Sequence, residues 1–220
     1  MTTAFAAWRA GLLGGLGPQA PAMMATFLAF GAACREADMP LSWMMAACML
    51  VYGMPGQMIL LGVPGMPGVL GATVANARFL PMAIALSPYL GPRGWLVAPF
   101  IAVTPWAVAI RTVPGLHPGL GLPWFLGCGG LSWVLGSSTA LVGFWAAADL
   151  PTAARPALLF ANTIYFALLI GADLLRPVAR PAVLGGIIAA PFAILLPPAV
   201  GLLVAGLVGG TAAWLWQRRT

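Results

Sequence analysis

Charged side chains are scarce in this sequence. Of its 220 residues only 6% are charged: lysine is absent, all ten basic residues are arginine, four residues are acidic and one is histidine. A water-soluble domain of this length could not cover its surface with so few charges. Hydrophobic residues make up 61% of the chain, and the mean hydropathy is +0.98. The composition therefore indicates an integral membrane protein, which we interpret as a single domain, residues 1–220, held in the lipid bilayer.

The same shortage argues against catalysis. No acidic residue is central in an apolar run, a single histidine cannot form a ligand cluster, and no HExxH, GxSxG or Walker-type sequence occurs. Cys34, Cys48 and Cys128 lie within or beside apolar segments without C-x-x-C spacing, which is typical of small buried hydrophobic residues. His117 lies in a Gly/Pro-rich turn, where a solvated side chain is the ordinary outcome and a proton carrier is the alternative. We expect no enzymatic activity, no metal site and no cofactor.

Polar turns divide the apolar sequence into candidate membrane spans. A transmembrane helix needs roughly 20 apolar residues, and the chain contains eight runs near this length, or seven if the last two form one unit bent at 197–198. We predict an all-α, polytopic membrane helix bundle with seven or eight spans and several broken helices. The predicted spans are residues 11–34, 41–61, 69–90, 95–110, 120–147, 156–175, 181–196 and 199–216.

The arginines lie between the apolar runs, so the net charge of +6 indicates membrane topology and no nucleic-acid partner. With eight spans, the loops on the side of the termini hold six arginines, and the loops on the opposite side hold three together with acidic residues. The positive-inside rule then predicts a multi-pass protein of the cytoplasmic (inner) membrane with both termini in the cytoplasm. The first residues carry only Arg9 before an apolar run interrupted by Gly and Pro, so we expect this segment to be retained rather than cleaved.

The first apolar run contains too many helix breakers for a regular helix. Between Gly14 and Pro21 the sequence reads GGLGPQAP, and each internal proline removes a backbone hydrogen bond. Unpaired backbone groups at membrane depth are tolerated only inside the protein or beside a wet cavity. We predict a broken first helix with Gln19 at the break. The alternative is a short interfacial lead-in before a helix that begins near Ala20.

Two further breaks are predicted from glycine and proline. Five glycines and three prolines between Gly53 and Gly68 predict a turn or re-entrant element near Gln57. Four glycines predict interruptions of the fifth span, and hydroxyl residues surround the last of them. Such hydroxyls either pack and bond back to helix carbonyls or line a cavity. The glycines are residues 127, 129, 130 and 136, and the hydroxyl residues are Ser132, Ser137, Ser138 and Thr139.

The third span carries an arginine near its middle. It reads VLGATVANARFLPMAIALSPYL, with Asn76 and Arg78 inside it. A guanidinium keeps its charge in a protein, and its burial in the bilayer core costs at least about 2.5 kcal/mol. Arg78 therefore either extends to the headgroups from a helix end or faces a cavity or an anionic group.

The predicted broken segments are the first, third and fifth spans and residues 53–68. Interrupted helices beside a few polar side chains are the sequence pattern of a transporter site. Helix N-termini and Arg78 suit a carboxylate, free carbonyls suit an ammonium, and Met, Leu and Phe suit an apolar side chain. The combination fits an apolar amino acid, while another small zwitterion or anion stays open. The predicted substrate-binding residues are Gln19, Gln57, Asn76, Arg78, Ser137, Ser138 and Thr139.

The order of these features resembles the AzlC family, the large subunits of branched-chain amino-acid exporters. Four segments carry the resemblance: WRAGLLGGLGP with Arg9, Gly11 and Pro18, GMPGQM centred on Gln57, VANARFLP, and LSWVLGSSTALVG. They extend over residues 8–143, and the remaining chain is similar only in hydropathy. The resemblance implies a permease that exports valine, leucine, isoleucine or methionine, driven by the proton gradient and assembled with a separately encoded, small AzlD-like membrane subunit.

One position departs from the family pattern. The family commonly has an acidic residue after a threonine in the fourth span, where this chain reads VTPWAV with Pro105 and Trp106. If that acid assists proton coupling, this chain couples differently or carries another substrate. The alternative in a different functional class is a membrane scaffold or accessory subunit whose partner carries the transport, and a channel is a third option.

Overall fold

The computed structural model describes residues 3–63, 65–149, 151, 153–174, 180–196 and 198–218. Within these residues the fold contains eleven α-helices and no strand, which confirms the all-α class. The helices are α1 (Ala4–Gly15), α2 (Gln19–Glu36), α3 (Leu41–Leu50), α4 (Met54–Gly62), α5 (Met66–Asn76), α6 (Phe79–Leu90), α7 (Val103–Thr112), α8 (Gly121–Trp145), α9 (Ala154–Asp173), α10 (Arg180–Leu195) and α11 (Pro198–Gln217). A 3₁₀ helix, Gly94–Phe100, precedes α7, and two shorter 3₁₀ turns, Val113–Gly115 and Ala146–Ala148, flank α8.

The longest helix, α8, is the central element of the bundle. Its 25 residues form one uninterrupted helix, so the prediction that glycines break the fifth span is wrong. A glycine within a helix costs about 1 kcal/mol relative to alanine, and it is retained where two backbones must approach closely. Both α1 and α2 pack along α8.

Paired glycines mark these two helix crossings. A Cβ atom at Gly11 of α1 would overlap a backbone carbonyl oxygen of α8, and a Cβ atom at Gly127 would overlap a carbonyl oxygen of α1. The crossing of α2 with α8 repeats the pattern with Gly31 and Gly143. Gly127, one of the predicted breakers of the fifth span, is therefore a packing residue, and α1, α2 and α8 form a closely fitted scaffold.

By length and composition, α8 is the one described helix that could cross a bilayer alone. The pair α5 and α6 passes the same test only if it is taken as one span, bent by 48° at its break. The first, second and fourth predicted spans are each divided into two shorter helices. The count of seven or eight spans therefore stays a prediction.

The predicted breaks in the first and third spans are confirmed. Helix α1 ends at Gly15 and α2 begins at Gln19. The segment before α2 is itself a 12-residue helix that starts at Ala4, and α2 begins within one residue of the helix start that the lead-in alternative placed near Ala20. The third span is interrupted after Asn76, and the second half resumes at Phe79.

The second and fourth spans differ from the prediction. Helix α3 ends at Leu50, so the regular helix of the second span ends as predicted, and α4 occupies most of the stretch for which a turn or re-entrant element was predicted. Prolines lie in the first turns of α4 and α5, where a missing N–H costs nothing. The fourth span is divided into a 3₁₀ helix and α7 by two extended residues, Ile101 and Ala102. Residues 175–179 and 197, which separate the last predicted spans, lie outside the described residues.

Helix α2 ends in a Schellman motif. The N–H of Met39 donates to the carbonyl of Cys34 at 2.9 Å, and the N–H of Asp38 donates to the carbonyl of Arg35 at 3.2 Å. Asp38 occupies the left-handed position with φ of 51°, which glycine or asparagine usually fills. The motif fixes the turn between α2 and α3.

Candidate functional site

A cavity of about 690 Å³ lies where several helix breaks meet, and we call it the arginine cavity. Its walls come from α2, the α3–α4 junction, the α5–α6 break, the start of α7 and one face of α9. Its described lining residues are Met23, Thr26, Phe27, Tyr52, Gly53, Met54, Pro55, Met58, Arg78, Phe79, Ala102, Val103, Thr104, Thr163, Ala167 and Ile170.

Three helices present their N-terminal residues to this cavity. Gly53 and Met54 begin α4, Phe79 begins α6 after Arg78, and Val103 begins α7. None of the three N-termini has a side-chain capping bond. Each N-terminus carries roughly half a positive elementary charge and N–H groups without an intrahelical partner. The cavity wall is therefore suited to an anionic group.

Arg78 adds a full positive charge to the same wall. Its guanidinium lies over the ring of Phe79, 5.1 Å from the ring centroid. Its Nε is buried and has no hydrogen-bond partner, and no carboxylate among the described lining residues faces it. One predicted alternative placed Arg78 at a helix end, and its backbone does lie there, since Arg78 directly precedes α6. The side chain nonetheless lines the cavity.

Hydroxyl groups line the cavity at positions that the sequence analysis did not single out. Thr26, Thr104 and Thr163 come from α2, α7 and α9. The hydroxyl of Thr26 donates to the carbonyl of Ala22 at 2.9 Å, and the hydroxyl of Tyr52 donates to Sδ of Met23 at 3.5 Å. Thr104 follows the helix break at Ile101 and Ala102, which no glycine or proline of its own marks in the sequence. Thr26 and Thr163 lie in regular helix, where nothing in the sequence separates them from packing residues.

Apolar side chains cover the remaining wall. Met23, Phe27, Met54, Met58 and Phe79 lie around the cavity, and several of them belong to the main hydrophobic core. Thioethers and aromatic rings adapt to branched or linear aliphatic groups. The cavity lining thus combines the positive charge of Arg78 and the helix N-termini with apolar side chains.

The three predicted amides do not line the arginine cavity; each bonds to a carbonyl at a helix end. Nε2 of Gln19 donates to the carbonyl of Gly14 in the last turn of α1. Nε2 of Gln57 donates to the carbonyl of Ala47 at 3.2 Å, and Nδ2 of Asn76 donates to the carbonyl of Val51 at 3.1 Å. The carbonyls of Gly14 and Ala47 each also accept a backbone N–H from the residues after the helix, so the side-chain amide is a second donor there.

The amides therefore connect the pieces of broken helices. The oxygen atoms Oε1 of Gln57 and Oδ1 of Asn76 are buried without a hydrogen-bond partner. Asn76 Oδ1 lies beside Gly53 and Gly56 at the start of α4. In this way Asn76 links the end of α3, the start of α4 and the end of α5.

The predicted hydroxyl cluster on α8 also lies outside the arginine cavity. Ser138 and Thr139 donate to the carbonyl of Leu135 at 3.1 Å and 2.7 Å. Ser132 likewise bonds back to the carbonyl of Cys128, at 2.8 Å. Ser137 is buried, and its Oγ has no partner. Of the seven predicted site residues, Arg78 alone lines the cavity, and the back-bonding alternative describes Ser132, Ser138 and Thr139.

The expected acidic position lies next to the cavity and carries no charge. Thr104 lines the cavity, Pro105 is fully buried behind it, and Nε1 of Trp106 is buried without a partner. Among the residues that the structure describes, no group of three metal-ligating side chains occurs.

Comparisons with known proteins agree with the sequence resemblance. No curated protein and no solved structure matches the chain. The model of the family described as AzlC protein matches residues 18–150, more than half of the chain. This range contains α2 to α8 and every cavity-lining residue except those of α9. The chain therefore belongs to the AzlC family of membrane proteins.

Proposed function

We propose that this protein is a secondary transporter that exports branched-chain or similar apolar amino acids, namely valine, leucine, isoleucine or methionine. The observation that supports the proposal is the arginine cavity, which Arg78 and three uncapped helix N-termini line together with Met and Phe side chains. Family membership supports a transport-related role, and the substrate is our proposal.

The substrate carboxylate binds at the positive wall. Arg78 forms charge-assisted hydrogen bonds with it, and the free N–H groups at the start of α7 supply further donors. A helix N-terminus contributes about 0.3–1 kcal/mol to anion binding when exposed, and more when partly buried. Thr104, which is 6% exposed, orients the carboxylate through its hydroxyl.

The aliphatic side chain binds against Met23, Met54 and Phe79. Small-molecule sites in proteins measure about 300–1,000 Å³, and the cavity has about 690 Å³. That volume accommodates a whole amino acid with water at the ammonium end. Tyr52 and the carbonyls of the α3–α4 junction are the acceptors nearest to that end.

Transport requires the cavity to open on alternate sides of the membrane. The breaks after α3, α5 and the 3₁₀ helix all border the cavity, whereas α1, α2 and α8 are held by close glycine contacts. The short helices therefore move as units against this scaffold, as in other transporters with interrupted helices.

The partner and the energy source belong to the same proposal. A small AzlD-like membrane subunit completes the exporter, and the proton gradient drives efflux across the inner membrane, with both termini in the cytoplasm. Pro105 replaces the acid that would carry a proton beside the cavity. The proton pathway then runs through the partner or through another part of this chain.

A second candidate is a transporter of small apolar carboxylate anions. It is favoured by the lack of any acidic side chain among the described residues that line the cavity, since an ammonium would gain no ion pair there. The 2-oxo acid of leucine differs from leucine only at the α-carbon, so a direct comparison separates the two candidates.

Substrate counterflow in proteoliposomes tests these proposals. The purified chain, with and without its small partner, is loaded with unlabelled leucine, valine, methionine or the corresponding 2-oxo acids, and uptake of the labelled compound is followed. Saturable exchange of the amino acids supports the exporter. Preference for the 2-oxo acids favours the second candidate. Exchange by the partner alone assigns this chain an accessory role, and absence of any exchange by the folded pair refutes the proposal.

An arginine pair supplies the matched control. Arg78→Gln removes the charge from the cavity wall, while Arg93→Gln removes a charge from the turn between α6 and the 3₁₀ helix. We expect at least a tenfold loss of exchange for the first variant and less than a twofold change for the second. Equal exchange by the two variants would exclude Arg78 from substrate binding.

A further inference from the structure

Trp133 of α8 contacts the chain beside two of the helix breaks that border the arginine cavity. The first break is the α3–α4 junction, residues 51–53, and the second is the junction between the 3₁₀ helix and α7, residues 101–102. Both junctions contribute lining residues to the cavity, whereas Trp133 is not among its described lining residues. The contacts of this indole therefore concern the segments from which α4 and α7 begin.

The indole N–H holds the first junction. Nε1 of Trp133 donates to the carbonyl of Met49 at 3.2 Å. Met49 lies in the last turn of α3, where carbonyls lack the N–H that a continuing helix would supply. No backbone N–H of the described residues after α3 donates to this carbonyl. The bond from Trp133 thus supplies a partner and ties the end of α3 to α8.

The indole ring holds the second junction. Phe100 is the last residue of the 3₁₀ helix, and its ring meets that of Trp133 edge-on, with centroids 5.7 Å apart and an interplanar angle of 81°. One helical turn before Trp133, a Cβ atom at Gly129 would lie only 3.1 Å from Cβ of Phe100. Because glycine leaves that space open, the end of the 3₁₀ helix packs directly against α8, next to the start of α7.

The position of Trp133 argues against the common role of tryptophan in membrane proteins. Tryptophans that anchor a protein at the headgroups lie near the ends of the spans. Trp133 lies at the middle of α8, which is the one described helix able to cross a bilayer alone. Interrupted helices form transport sites near this depth, so the two contacts of Trp133 are at the level expected for such a site.

We propose that Trp133 is a positioning residue of the transport site. It fixes both junctions to the scaffold of α1, α2 and α8, so that the N-termini of α4 and α7 lie together at the arginine cavity. Trp133 touches no substrate and acts through the two junctions. The inference rests on the proposed function for what the site does, whereas the anchoring of the junctions can be measured independently of transport.

Two backbone amides report on the junctions. The N–H of Gln57 donates to the carbonyl of Gly53, and the N–H of Trp106 donates to the carbonyl of Ala102, each at 3.0 Å. These bonds lie in the first turns of α4 and α7, so opening of a junction releases them and allows the amide hydrogen to exchange. Hydrogen exchange of the protein in nanodiscs, followed by mass spectrometry, therefore measures the anchoring whatever the cavity carries.

Two substitutions separate the two contacts. Trp133→Phe removes the N–H donor and keeps an aromatic ring, so hydrogen exchange at Gln57 should be about fivefold faster and that at Trp106 should change less than twofold. Trp133→Leu removes both contacts and should accelerate both amides about fivefold. The matched control is Trp145→Leu, which removes another α8 indole with an edge-on phenylalanine contact and should change neither rate. Unchanged rates in Trp133→Leu, or an equal acceleration throughout the chain, overturn the proposal.

Counterflow in proteoliposomes tests the effect on the site. The KM for leucine should rise about fivefold in Trp133→Leu and stay within twofold in Trp145→Leu. The double variant of Trp133→Leu with Thr104→Val separates positioning from a general loss of stability. If Trp133 acts through the start of α7, the KM of the double variant should stay within twofold of that of Trp133→Leu.

A KM that is unchanged in Trp133→Leu, or that rises in the double variant by the product of the two single effects, overturns the positioning role. Absence of counterflow by the unaltered protein with its partner would instead refute the proposed transport function. The hydrogen-exchange rates at Gln57 and Trp106 would still decide whether Trp133 anchors the two junctions, so the two failures are distinguishable.

Discussion

Two alanine substitutions on α8 should change stability in opposite directions. Gly127 faces α1, and a Cβ atom there would overlap a backbone carbonyl oxygen. Gly130 is one turn further along the same helix, and a Cβ atom there would meet nothing within 4 Å. The pair therefore separates helix propensity from helix packing.

The expected magnitudes follow from the two environments. At an open position, replacement of glycine by alanine stabilises a helix by about 0.8–1 kcal/mol. At position 127 the same gain is offset by overpacking, which costs about 1–3 kcal/mol, and a backbone oxygen cannot turn aside as a side chain can. We expect Gly130→Ala to be more stable than Gly127→Ala by about 1–3 kcal/mol.

Thermal unfolding of the detergent-solubilised protein, followed by tryptophan fluorescence, measures the difference. For a chain of this size 1 kcal/mol corresponds to about 2–4 °C in Tm. Gly130→Ala should raise Tm by about 2 °C or more, and Gly127→Ala should leave it unchanged or lower it. Equal shifts of the same sign would refute the close contact between α1 and α8.

Three further predictions concern the breaks and the cavity. Asn76→Ala leaves the carbonyl of Val51 without its side-chain donor and should lower the free energy of unfolding by about 1–3 kcal/mol, which is measured as a lower Tm. The KM for exchange should stay within twofold in the folded fraction. A large rise in KM would instead make Asn76 a substrate ligand. Thr104→Val removes a cavity hydroxyl and should raise the KM for exchange about fivefold. Thr112→Val, at the other end of α7, should leave the KM unchanged. Equal KM values for the two variants would show that Thr104 does not bind the substrate. Met54→Ala enlarges the cavity at its apolar lining. In the same counterflow assay it should weaken exchange of leucine more than exchange of the bulkier phenylalanine. An equal loss for both substrates would show that Met54 does not contact the aliphatic side chain.

The Gly-Pro-Gln stretch before α2 predicted an interruption, and the structure confirms it. Glycines within α8 and the proline of α4 were misread, because both residue types have two structural uses. Glycine breaks a helix or allows a close backbone contact, and proline ends a helix or begins one.

The candidate site was predictable only in its charged residue. Burial of a guanidinium is costly enough to identify Arg78 from sequence. Gln57 was correctly associated with irregular backbone, but the structure shows the amides of Gln57 and Asn76 bonded to helix-end carbonyls. Thr104 could not be identified, since the break at Ile101 and Ala102 has no glycine or proline of its own.

The glycine contacts also constrain the order in which the protein matures. Helices α1 and α2 leave the ribosome before α8, yet the surface on which both pack belongs to α8, roughly a hundred residues later. At ~5–20 residues per second, synthesis of that interval takes about 5–20 s. During this time the glycine faces of the two helices have no partner from their own chain, and the broken backbone after Gly15 lies beside lipid or the insertion machinery. The protein is therefore most prone to misfolding between the synthesis of α2 and the synthesis of α8. A factor that shields α1 and α2 during this interval would raise the yield of folded protein without changing the activity of the folded transporter.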